Sequence, residues 1–545
     1  MKLFRTIFLL TFLIFPASNV LSQVFDEKFE HWPVNLKING TVIASNSLKN
    51  SAETDSIFLK LNKGKEAKTT IIFLDKLNAD REKELKEIIG KPKSINVISP
   101  ELKKLPQELI EEIKEASAVI INSGEKISAN SRDKILSLKN ELVDLLKRSG
   151  TLYTEGQVAV LLSNLFSNQN GEVKKGLDLI PDSVIEVSHS TKIDDSTVKG
   201  IIKKHPRKIG ITIEKDTSLI LSGRKLFVLG GGSATLYMAA NKVEALKVKK
   251  ISTQKFVRQS PKEFLVDLTQ WRREAIDRTI EPFPPAEPKA PFVENGTLVI
   301  VGGGGMPKNL MKQFIDFAGG PEKAKLVYVP CSEAEVLPDQ QRTVNMWKKM
   351  GVKNATFIHT KDRNKANSDE EFMAPLKDAT GIWFGGGRQW NMADSYYGTQ
   401  THKLMKEVLK RGGVIGGSSA GASIQARYLA RATPIQNFDI MAPGYERGGL
   451  GFISGVAIDQ HFSERKRQKD MTQLVNKYPQ MLGIGIDEAT ALIVQKSKAK
   501  IAGKGKVYFY NRKIPVVANQ ADYTALPDGS EYDLKERKVL KDSNK

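Results

Sequence analysis

The sequence is poor in the residues that build cross-linked or metal-rich proteins. Its 545 residues include one cysteine and six histidines. A single cysteine excludes an internal disulfide framework and any zinc site made of several cysteines, and so few histidines leave little room for a histidine-rich metal centre. After the N-terminus, no apolar stretch is long enough to span a membrane.

What the chain does contain is typical of a soluble globular protein. Hydrophobic residues make up 40% of it and charged residues 27%, which argues against a disordered or fibrous chain. The length predicts two domains or more. The net charge of +21 points weakly to acidic partners or surfaces. Lysine and arginine are scattered through the chain without a basic tail or a binding motif, so nucleic acid is a disfavoured partner.

The N-terminus has the pattern of an export signal. Lys2 and Arg5 form a short basic region, an apolar run follows, and Val20-Leu21-Ser22 offers small or aliphatic residues for cleavage before Gln23. The apolar run is too short to span a bilayer. We expect residues 1–22 to be a signal peptide, and the mature protein to be secreted or periplasmic and free of the membrane. A retained anchor at the membrane surface is the alternative.

The rest of the chain has the pattern of one domain present twice. Leu146-Lys-Arg-Ser-Gly150 matches Leu409-Lys-Arg-Gly-Gly413 at an offset of 263 residues. Residues 206–221 match residues 479–494 at an offset of 273, with seven of sixteen positions identical. Offsets this steady are hard to obtain by chance, so we interpret the chain as an internal duplication.

A proline-rich stretch, residues 281–292, separates the two halves and is typical of a semi-rigid linker. We therefore expect one domain over residues 23–280 and a second over residues 293–545. Within each, short β-rich apolar runs alternate with helical patterns, which predicts an α/β fold of doubly wound, mostly parallel sheets. In the second half we expect strands at 298–301, 325–330, 355–359, 381–384, 413–416 and 456–459, and helices at 307–317, 340–350 and 401–410.

One turn of the second half carries the chemistry. Val414-Ile-Gly-Gly-Ser-Ser-Ala-Gly-Ala-Ser423 is an apolar strand that ends in small residues and opens a helix, expected over residues 420–432. This is the layout of a nucleophile elbow, a tight turn that exposes one side chain at a helix N-terminus. Ser419 is the predicted nucleophile and Ser418 its competitor. An ordinary strand–helix turn with small residues for close packing is the alternative.

A serine hydrolase also needs a base to take the serine proton and an acid to orient that base. His461 and Glu488 are the candidates, because each follows an apolar strand and sheet sites form at the carboxyl ends of strands.

The first half carries different residues at the three positions. By the two offsets, Gly156, Ser188 and Lys215 stand where the second half has serine, histidine and glutamate. A register shift of one residue would bring His189 opposite the histidine, but it would restore neither of the other two. We therefore expect the second half to be catalytic and the first half to be a degenerate, non-catalytic copy.

In combination the motifs resemble those of cyanophycinase, in the serine peptidase family that includes the aspartyl dipeptidase called peptidase E. They are the elbow, Asp459-Gln-His-Phe followed by Arg465 and Arg467, and Gly483-Ile-Gly-Ile-Asp-Glu-Ala-Thr-Ala. The resemblance covers roughly residues 293–545 and reaches the first half only through the duplication. It implies two tandem domains similar to class I glutamine amidotransferases. It also implies a triad of Ser419, His461 and Glu488, with Asp487 as runner-up for the acid, and no metal or organic cofactor.

The resemblance also implies substrate contacts. The oxyanion donors would be the N–H groups of Ala420 and Gly386, and the pocket residues would be Gln389, Asp459, Gln460, Arg465 and Arg467. The two arginines suit carboxylates because a guanidinium binds them bidentately; a solvated basic face is the alternative. Where the family carries a further basic residue, this chain has Asp470, and its glycine run at 302–306 is not the commonest form. These departures bear on the substrate more than on the reaction.

The implied function is that of a secreted serine-type exopeptidase that hydrolyses cyanophycin, multi-L-arginyl-poly-L-aspartate, to β-Asp-Arg dipeptides. The near alternative is an aspartyl dipeptidase or isopeptidase acting on short peptides, and the distant one is a non-catalytic binding protein. A glutamine amidotransferase is disfavoured because that chemistry needs cysteine at the elbow, whereas the single cysteine is Cys331. A homodimer is a further expectation. The first half is expected to pack against the second, bind polymer or mediate dimerisation.

Overall fold

The computed structural model describes residues 39–46, 52–61, 68–188, 194–253, 265–337, 341–435 and 439–543. The expected signal peptide at residues 1–22 and His189 lie outside the described residues. No helix within the described ranges is long and apolar enough to cross a membrane. Both halves of the chain, here residues 39–280 and 293–543, belong to one compact unit.

Most strands of the first half are short apolar runs that are buried along their length, as strands covered on both faces should be. They are β1 (Thr41–Ser45), β2 (Thr69–Leu74), β3 (Ser94–Ile98), β4 (Ala118–Asn122), β5 (Thr151–Glu155), β6 (Ser163–Ser167), β7 (Val173–Lys175), β8 (Ile180–Val187), β9 (Ile209–Ile213), β10 (Thr217–Ser222), β11 (Lys225–Gly230), β12 (Ser233–Met238), β13 (Lys247–Ser252) and β14 (Val266–Asp267).

The second half repeats this pattern of buried runs. Its strands are β15 (Val293–Val301), β16 (Lys325–Val329), β17 (Asn354–Phe357), β18 (Gly381–Phe384), β19 (Val414–Ser418), β20 (Ala426–Tyr428), β21 (Ile453–Gln460), β22 (Leu482–Ile486), β23 (Thr490–Lys496), β24 (Lys498–Gly503), β25 (Val507–Asn511), β26 (Thr524–Leu526), β27 (Glu531–Asp533) and β28 (Lys538–Lys541).

Helices connect and cover the strands. In the first half they are α1 (Ala52–Leu61), α2 (Ala79–Ile89), α3 (Gln107–Glu115), α4 (Ala129–Ser137), α5 (Lys139–Lys147), α6 (Ser196–Lys204) and α7 (Leu268–Asp277). In the second half they are α8 (Leu310–Phe317), α9 (Arg342–Lys349), α10 (Arg363–Ser368), α11 (Glu370–Lys377), α12 (Trp390–Tyr396), α13 (Gln400–Lys410), α14 (Ala420–Ser423) and α15 (Gln468–Lys477). Two 3₁₀ helices span Gly156–Leu162 and Glu446–Gly448.

The large sheets of the two halves share one strand order. The first runs β3-β2-β4-β5-β1-β10-β11-β14 and the second β17-β16-β18-β19-β15-β23-β24-β27-β28, so corresponding strands occupy the same place over seven positions. In each, the first five strands pair in parallel and the rest antiparallel. Two smaller sheets, β7-β6-β8-β9-β12-β13 and β20-β21-β22-β25-β26, accompany them. The expected mixed α/β class with largely parallel sheets is confirmed.

The expected strands of the second half lie in place, with ends that differ by a few residues. The helix expected over 420–432 is wrong beyond Ser423, because the chain enters β20 at Ala426. The carbonyls that would continue the helix are taken by a later segment: Leu450 N–H donates to Ile424 O and Phe452 N–H to Gln425 O, both at 2.9 Å. Tertiary hydrogen bonds therefore end a helix that local propensity favours.

The proline-rich stretch between the halves packs onto the second half. The Phe283 ring stacks on Tyr428 with 6.0 Å between centroids, and the Arg447 guanidinium lies 5.0 Å from the same ring. Gln480 Nε2 donates to Pro285 O at 3.1 Å. These contacts hold the predicted semi-rigid linker against the surface of the second half.

Candidate active site

Ser419 stands where the elbow was predicted, at the carboxyl end of a central parallel strand. β19 pairs with β15 so that Ser418 lies opposite Val301, and the Ser419 N–H donates to Val301 O at 3.0 Å. The backbone of Ser419 has φ 57° and ψ −115°, a conformation that a residue with a side chain seldom adopts. Small neighbours make the turn possible, since a Cβ on Gly421 would lie 2.1 Å from Phe384 O.

Three side chains form a continuous hydrogen-bonded series at this turn. Ser419 Oγ lies 2.9 Å from His461 Nε2, and His461 Nδ1 lies 2.5 Å from Glu488 Oε1. A carboxylate only accepts hydrogen bonds, so His461 Nδ1 carries the proton and Nε2 accepts from the serine hydroxyl. This is the geometry in which an imidazole takes a serine proton.

Asp487, the second choice for the acid, is occupied elsewhere. Its Oδ1 accepts the N–H of Ser463 at 2.9 Å, and its Oδ2 accepts the N–H of Lys506 at 3.0 Å. These bonds hold the loop after β21 against the start of β25. The carboxylate that contacts the histidine is that of Glu488.

Two glycines that the sequence analysis did not assign to the site form a wall against the triad. A Cβ on Gly303 would lie 2.2 Å from His461 Cε1, and a Cβ on Gly304 would lie 2.0 Å from Glu488 Oε2. Both glycines have positive φ, 100° and 62°. The backbone also ties the pieces together, since His461 N–H donates to Gly302 O at 2.8 Å. The signal was present in the four consecutive glycines after β15.

Burial lowers the pKa of His461 below its ordinary value. The hydrogen bond to Glu488 acts in the opposite direction, and the positive charges of Arg465 and Arg467 lower the pKa further. The imidazole is therefore neutral at neutral pH, which is the state that a general base requires.

The two expected oxyanion donors lie beside Ser419. Ala420 is the next residue and begins α14. A Cβ on Gly386 would lie 3.5 Å from Ser419 Cβ, so the backbone of Gly386 runs alongside the nucleophile. Among the residues that the structure describes, no group of three or more His, Cys, Asp or Glu side chains is placed to hold a metal ion.

Three of the expected pocket residues, Asp459, Gln460 and Arg467, form a buried ionic network. Asp459 is fully buried and accepts from Arg431 Nε at 2.8 Å and from Arg467 at 3.0 Å. Arg467 also donates to Gln460 Oε1 at 3.1 Å. Burial lowers the pKa of Arg467 to about 10, so it stays charged at neutral pH. Asp459 therefore positions two arginines, one of which, Arg431, no sequence motif had indicated.

The other two expected contacts differ in exposure. Gln389 is buried and its Nε2 donates to Ala430 O at 2.7 Å, which ties the loop after β18 to the second half's smaller sheet. Arg465 is exposed and lines an open cavity of about 690 Å³ together with Arg431 and Arg467. Asp470 also lines this cavity, and its Oδ2 accepts from Arg431 at 2.6 Å. Asp470, which stands where the family carries a basic residue, therefore neutralises part of the cavity's positive charge.

Comparison with known proteins places this site in a family. The description "Peptidase family S51" matches residues 298–502, which include the serine, the histidine and the glutamate. This part of the chain, the S51 region below, is similar to the cyanophycinase and peptidase E family. The chain is 29% identical over 202 residues to the cyanophycinase of Geminocystis herdmanii, covering 37% of this chain and 74% of that protein. It is 27% identical over 222 residues to the cyanophycinase of Trichormus variabilis, covering 39% and 72%. These similarities support a serine-type peptidase.

Two solved structures are also similar to part of this chain. A peptidase from an acI-B1 Actinobacterium is 22% identical, with a TM-score of 0.34, and the match covers 45% of this chain and 98% of that one. A putative peptidase E from Listeria monocytogenes is 17% identical, with a TM-score of 0.29, and the match covers 38% and 99%.

At the position that corresponds to Ser419, the first half has a glycine. Gly156 follows β5 as Ser419 follows β19, and it keeps a positive φ of 81°, but it has no side chain. Where the S51 region has Gly302 after β15, the first half has Asn46 after β1. The Asn46 amide donates to Ser188 O at 2.6 Å and to Ile213 O at 2.9 Å. The Asn46 side chain therefore links the ends of β8 and β9. These strands correspond to β21 and β22 of the second half, where His461 follows β21.

Proposed function

We propose that the second half is a peptidase whose catalytic triad is Ser419, His461 and Glu488. The observation that carries the proposal is the series of two hydrogen bonds, 2.9 Å and 2.5 Å long, that links these side chains at the end of β19. The sharp backbone turn at Ser419 and the neutral imidazole support it.

In this mechanism Ser419 Oγ attacks the carbonyl carbon of the scissile bond while its proton passes to His461 Nε2. Glu488 stabilises the imidazolium that forms. The N–H groups of Ala420 and Gly386 donate to the developing oxyanion. His461 Nε2 then gives its proton to the leaving amine, and water, deprotonated by His461, hydrolyses the acyl-enzyme ester to regenerate the free serine.

We propose cyanophycin as the substrate and β-Asp-Arg dipeptides as the product, with exopeptidase action. The match to proteins described as cyanophycinases supports this, as does a cavity next to the site that carries three arginines, since guanidinium groups suit substrate carboxylates. The second candidate is an aspartyl dipeptidase. The Asp470–Arg431 ion pair favours it, because the pair reduces the positive charge that the cavity offers to a chain of carboxylates.

Release of soluble dipeptide from insoluble cyanophycin tests the substrate, with Asp-X dipeptides as the parallel substrate. If cyanophycin is the substrate, mass spectrometry should detect released β-Asp-Arg. The kcat/KM on polymer fragments should then exceed the kcat/KM on Asp-X dipeptides. Cleavage of Asp-X without release from the polymer would reject cyanophycin and leave the dipeptidase. Absence of both activities would reject the peptidase proposal.

We propose further that the first half is a non-catalytic copy of an amidotransferase-like domain. The shared strand order and the glycine at the elbow position support this. Restoring the three chemical residues in the first half of a Ser419→Ala protein should give no activity, since Asn46 bridges the strand ends beside Ser188. Activity in that protein would contradict the proposal.

Export and self-association remain proposals. Cleavage before Gln23 predicts a secreted or periplasmic mature protein, which N-terminal sequencing of protein from cell fractions would test. An N-terminus at Met1 in membrane-associated protein would favour a retained anchor. A homodimer predicts twice the chain mass of 60.5 kDa, less the signal, in light scattering.

A further inference from the structure

A groove lined by lysines runs over one face of the second half's large sheet. It has a volume of about 1030 Å³ and follows the hairpin of β23 and β24. At one end Lys504 N–H donates to Ala489 O at 3.1 Å, and Ala489 is the residue after Glu488. The groove therefore begins beside the triad's carboxylate. Strand geometry gives it a length of about 20 Å along β23.

The charge of the groove is strongly one-sided. Its lining contains five lysines and two carboxylates: Lys308, Lys496, Lys498, Lys500, Lys504, Asp528 and Glu531. Asp528 Oδ1 accepts the N–H of Gly503 at 3.0 Å, so one carboxylate is engaged with the backbone. Lys496 Nζ donates to Glu294 O.

The other four lysines are exposed. Across the described ranges, none of their ammonium groups lies within ion-pair distance of a carboxylate. In the strand register Lys498 lies opposite Asp533 and Lys500 opposite Glu531, so carboxylates neighbour two of these four cations, and the lining keeps an excess of positive charge.

The equivalent position of the first half carries apolar side chains. Ile220 of β10 pairs with Phe227 of β11, and both belong to an apolar cluster that contains Phe58 of α1. In the second half the corresponding register pairs Ile493 with Lys500. Lysine replaces the aromatic ring that seals the sheet, so this face stays open to solvent.

We propose that the groove binds an extended polycarboxylate chain, an acidic polypeptide. Lys498 and Lys500 are two residues apart on one strand face, so their ammonium groups repeat at about 7 Å. Carboxylates on one face of an extended polypeptide repeat at the same distance. Side chains that stack on nucleobases are nearly lacking in the lining, which favours a polypeptide over nucleic acid. The choice of a polypeptide rests on the proposed peptidase function, whereas anion binding at the groove does not.

Binding of a fluorescent ten-residue poly-L-aspartate to the full-length Ser419→Ala protein tests the groove without turnover. Anisotropy should show saturable binding that weakens with salt. The Lys498→Gln/Lys500→Gln variant should bind about five- to tenfold more weakly, since it removes two charge-assisted contacts. The control is Lys538→Gln/Lys541→Gln, which makes the same charge change on exposed β28 outside the groove and should bind within about twofold of the parent.

Three results would overturn the proposal. The first is that poly-L-aspartate shows no saturable binding, and the second is that both lysine variants weaken binding equally. The third is that a ten-residue thymidine oligonucleotide or anionic vesicles bind as tightly as poly-L-aspartate, with the same dependence on Lys498 and Lys500. Activity on Asp-X dipeptides is measured separately with wild-type protein. Groove binding without any peptidase activity would leave the groove standing and remove the proposed function.

Discussion

Arg273 of the first half donates a hydrogen bond to Asp394 of the second, and both side chains are almost fully buried. Arg224 NH1, also of the first half, donates to the same carboxylate at 2.7 Å, and Tyr445 OH donates at 2.9 Å. These charges hold the pKa of Asp394 well below its ordinary value against the effect of burial. Asp394 lies on α12, which begins immediately after Gln389, so the first half braces the segment that follows a candidate pocket residue.

Asp394→Asn should destabilise the protein by about 3–5 kcal/mol, because it removes the carboxylate that pairs with buried Arg273. Arg224 keeps its ion pair with Asp267. Urea denaturation gives the free energy of unfolding. Asp378→Asn is the matched control: its partner Lys325 and Asp378 itself are 46% and 63% exposed, so we expect a cost within about 1 kcal/mol. If both variants lose the same free energy of unfolding, the buried ion pair between the halves does not stabilise the protein more than an exposed pair does.

Gly303→Ala should lower kcat/KM by about 10²-fold or more, because its Cβ would displace the imidazole that Ser419 contacts. Gly412→Ala controls for backbone strain. Gly412 has a φ of 92° against 100° for Gly303, but a Cβ there meets no atom within 4 Å. Steady-state kinetics should find Gly412→Ala fully active, at a stability cost of about 1–3 kcal/mol. Full activity in Gly303→Ala would contradict the close packing of the glycine run on the triad.

The pH dependence of kcat/KM should show an acid limb below the ordinary histidine pKa of about 6.5, because burial lowers the pKa of His461. Protonated His461 cannot accept the serine proton, so activity falls as the pH drops through that pKa. Arg465→Gln removes a positive charge that lowers the pKa, so the acid limb should move to higher pH. Lys469→Gln, exposed on the same segment, should leave it in place. A shift of the acid limb to lower pH in Arg465→Gln would contradict the effect that we assign to the Arg465 charge.

Asp470→Asn should lower the KM for acidic substrates by roughly three- to tenfold, because it frees Arg431 to bind a carboxylate. The expected kcat is unchanged. Asp316→Asn, which makes the same charge change on the exposed side of α8, tests the effect of net charge alone. A lower KM in both variants, or in neither, would remove Asp470 from the determinants of specificity.

Much of the fold could be predicted because its signals are local. Strand–helix alternation and the small residues around Ser419 lie within short windows of sequence, and the strands at 381–384 and 414–418 lie close to the expected positions. The helix after the elbow was overestimated because residues 450–452, distant in sequence, take its carbonyls.

The ionic contacts could not be predicted in the same way. Arg431 and Asp459 are 28 residues apart, and Arg273 and Asp394 are 121 apart. No periodicity links such pairs, since only the tertiary fold brings them together. The alternating lysines at 496, 498 and 500 were visible in the sequence. The groove that brings them onto one concave surface could not be predicted from it.

The central claim is that Ser419 is the nucleophile, and kcat/KM of Ser419→Ala beside that of Ser418→Ala tests it most directly on whichever aspartyl substrate the wild type cleaves. We predict a loss of about 10⁴-fold or more in Ser419→Ala, with the fold intact by circular dichroism, and a loss of less than about tenfold in Ser418→Ala. Retained activity in Ser419→Ala, or the larger loss in Ser418→Ala, would contradict the account.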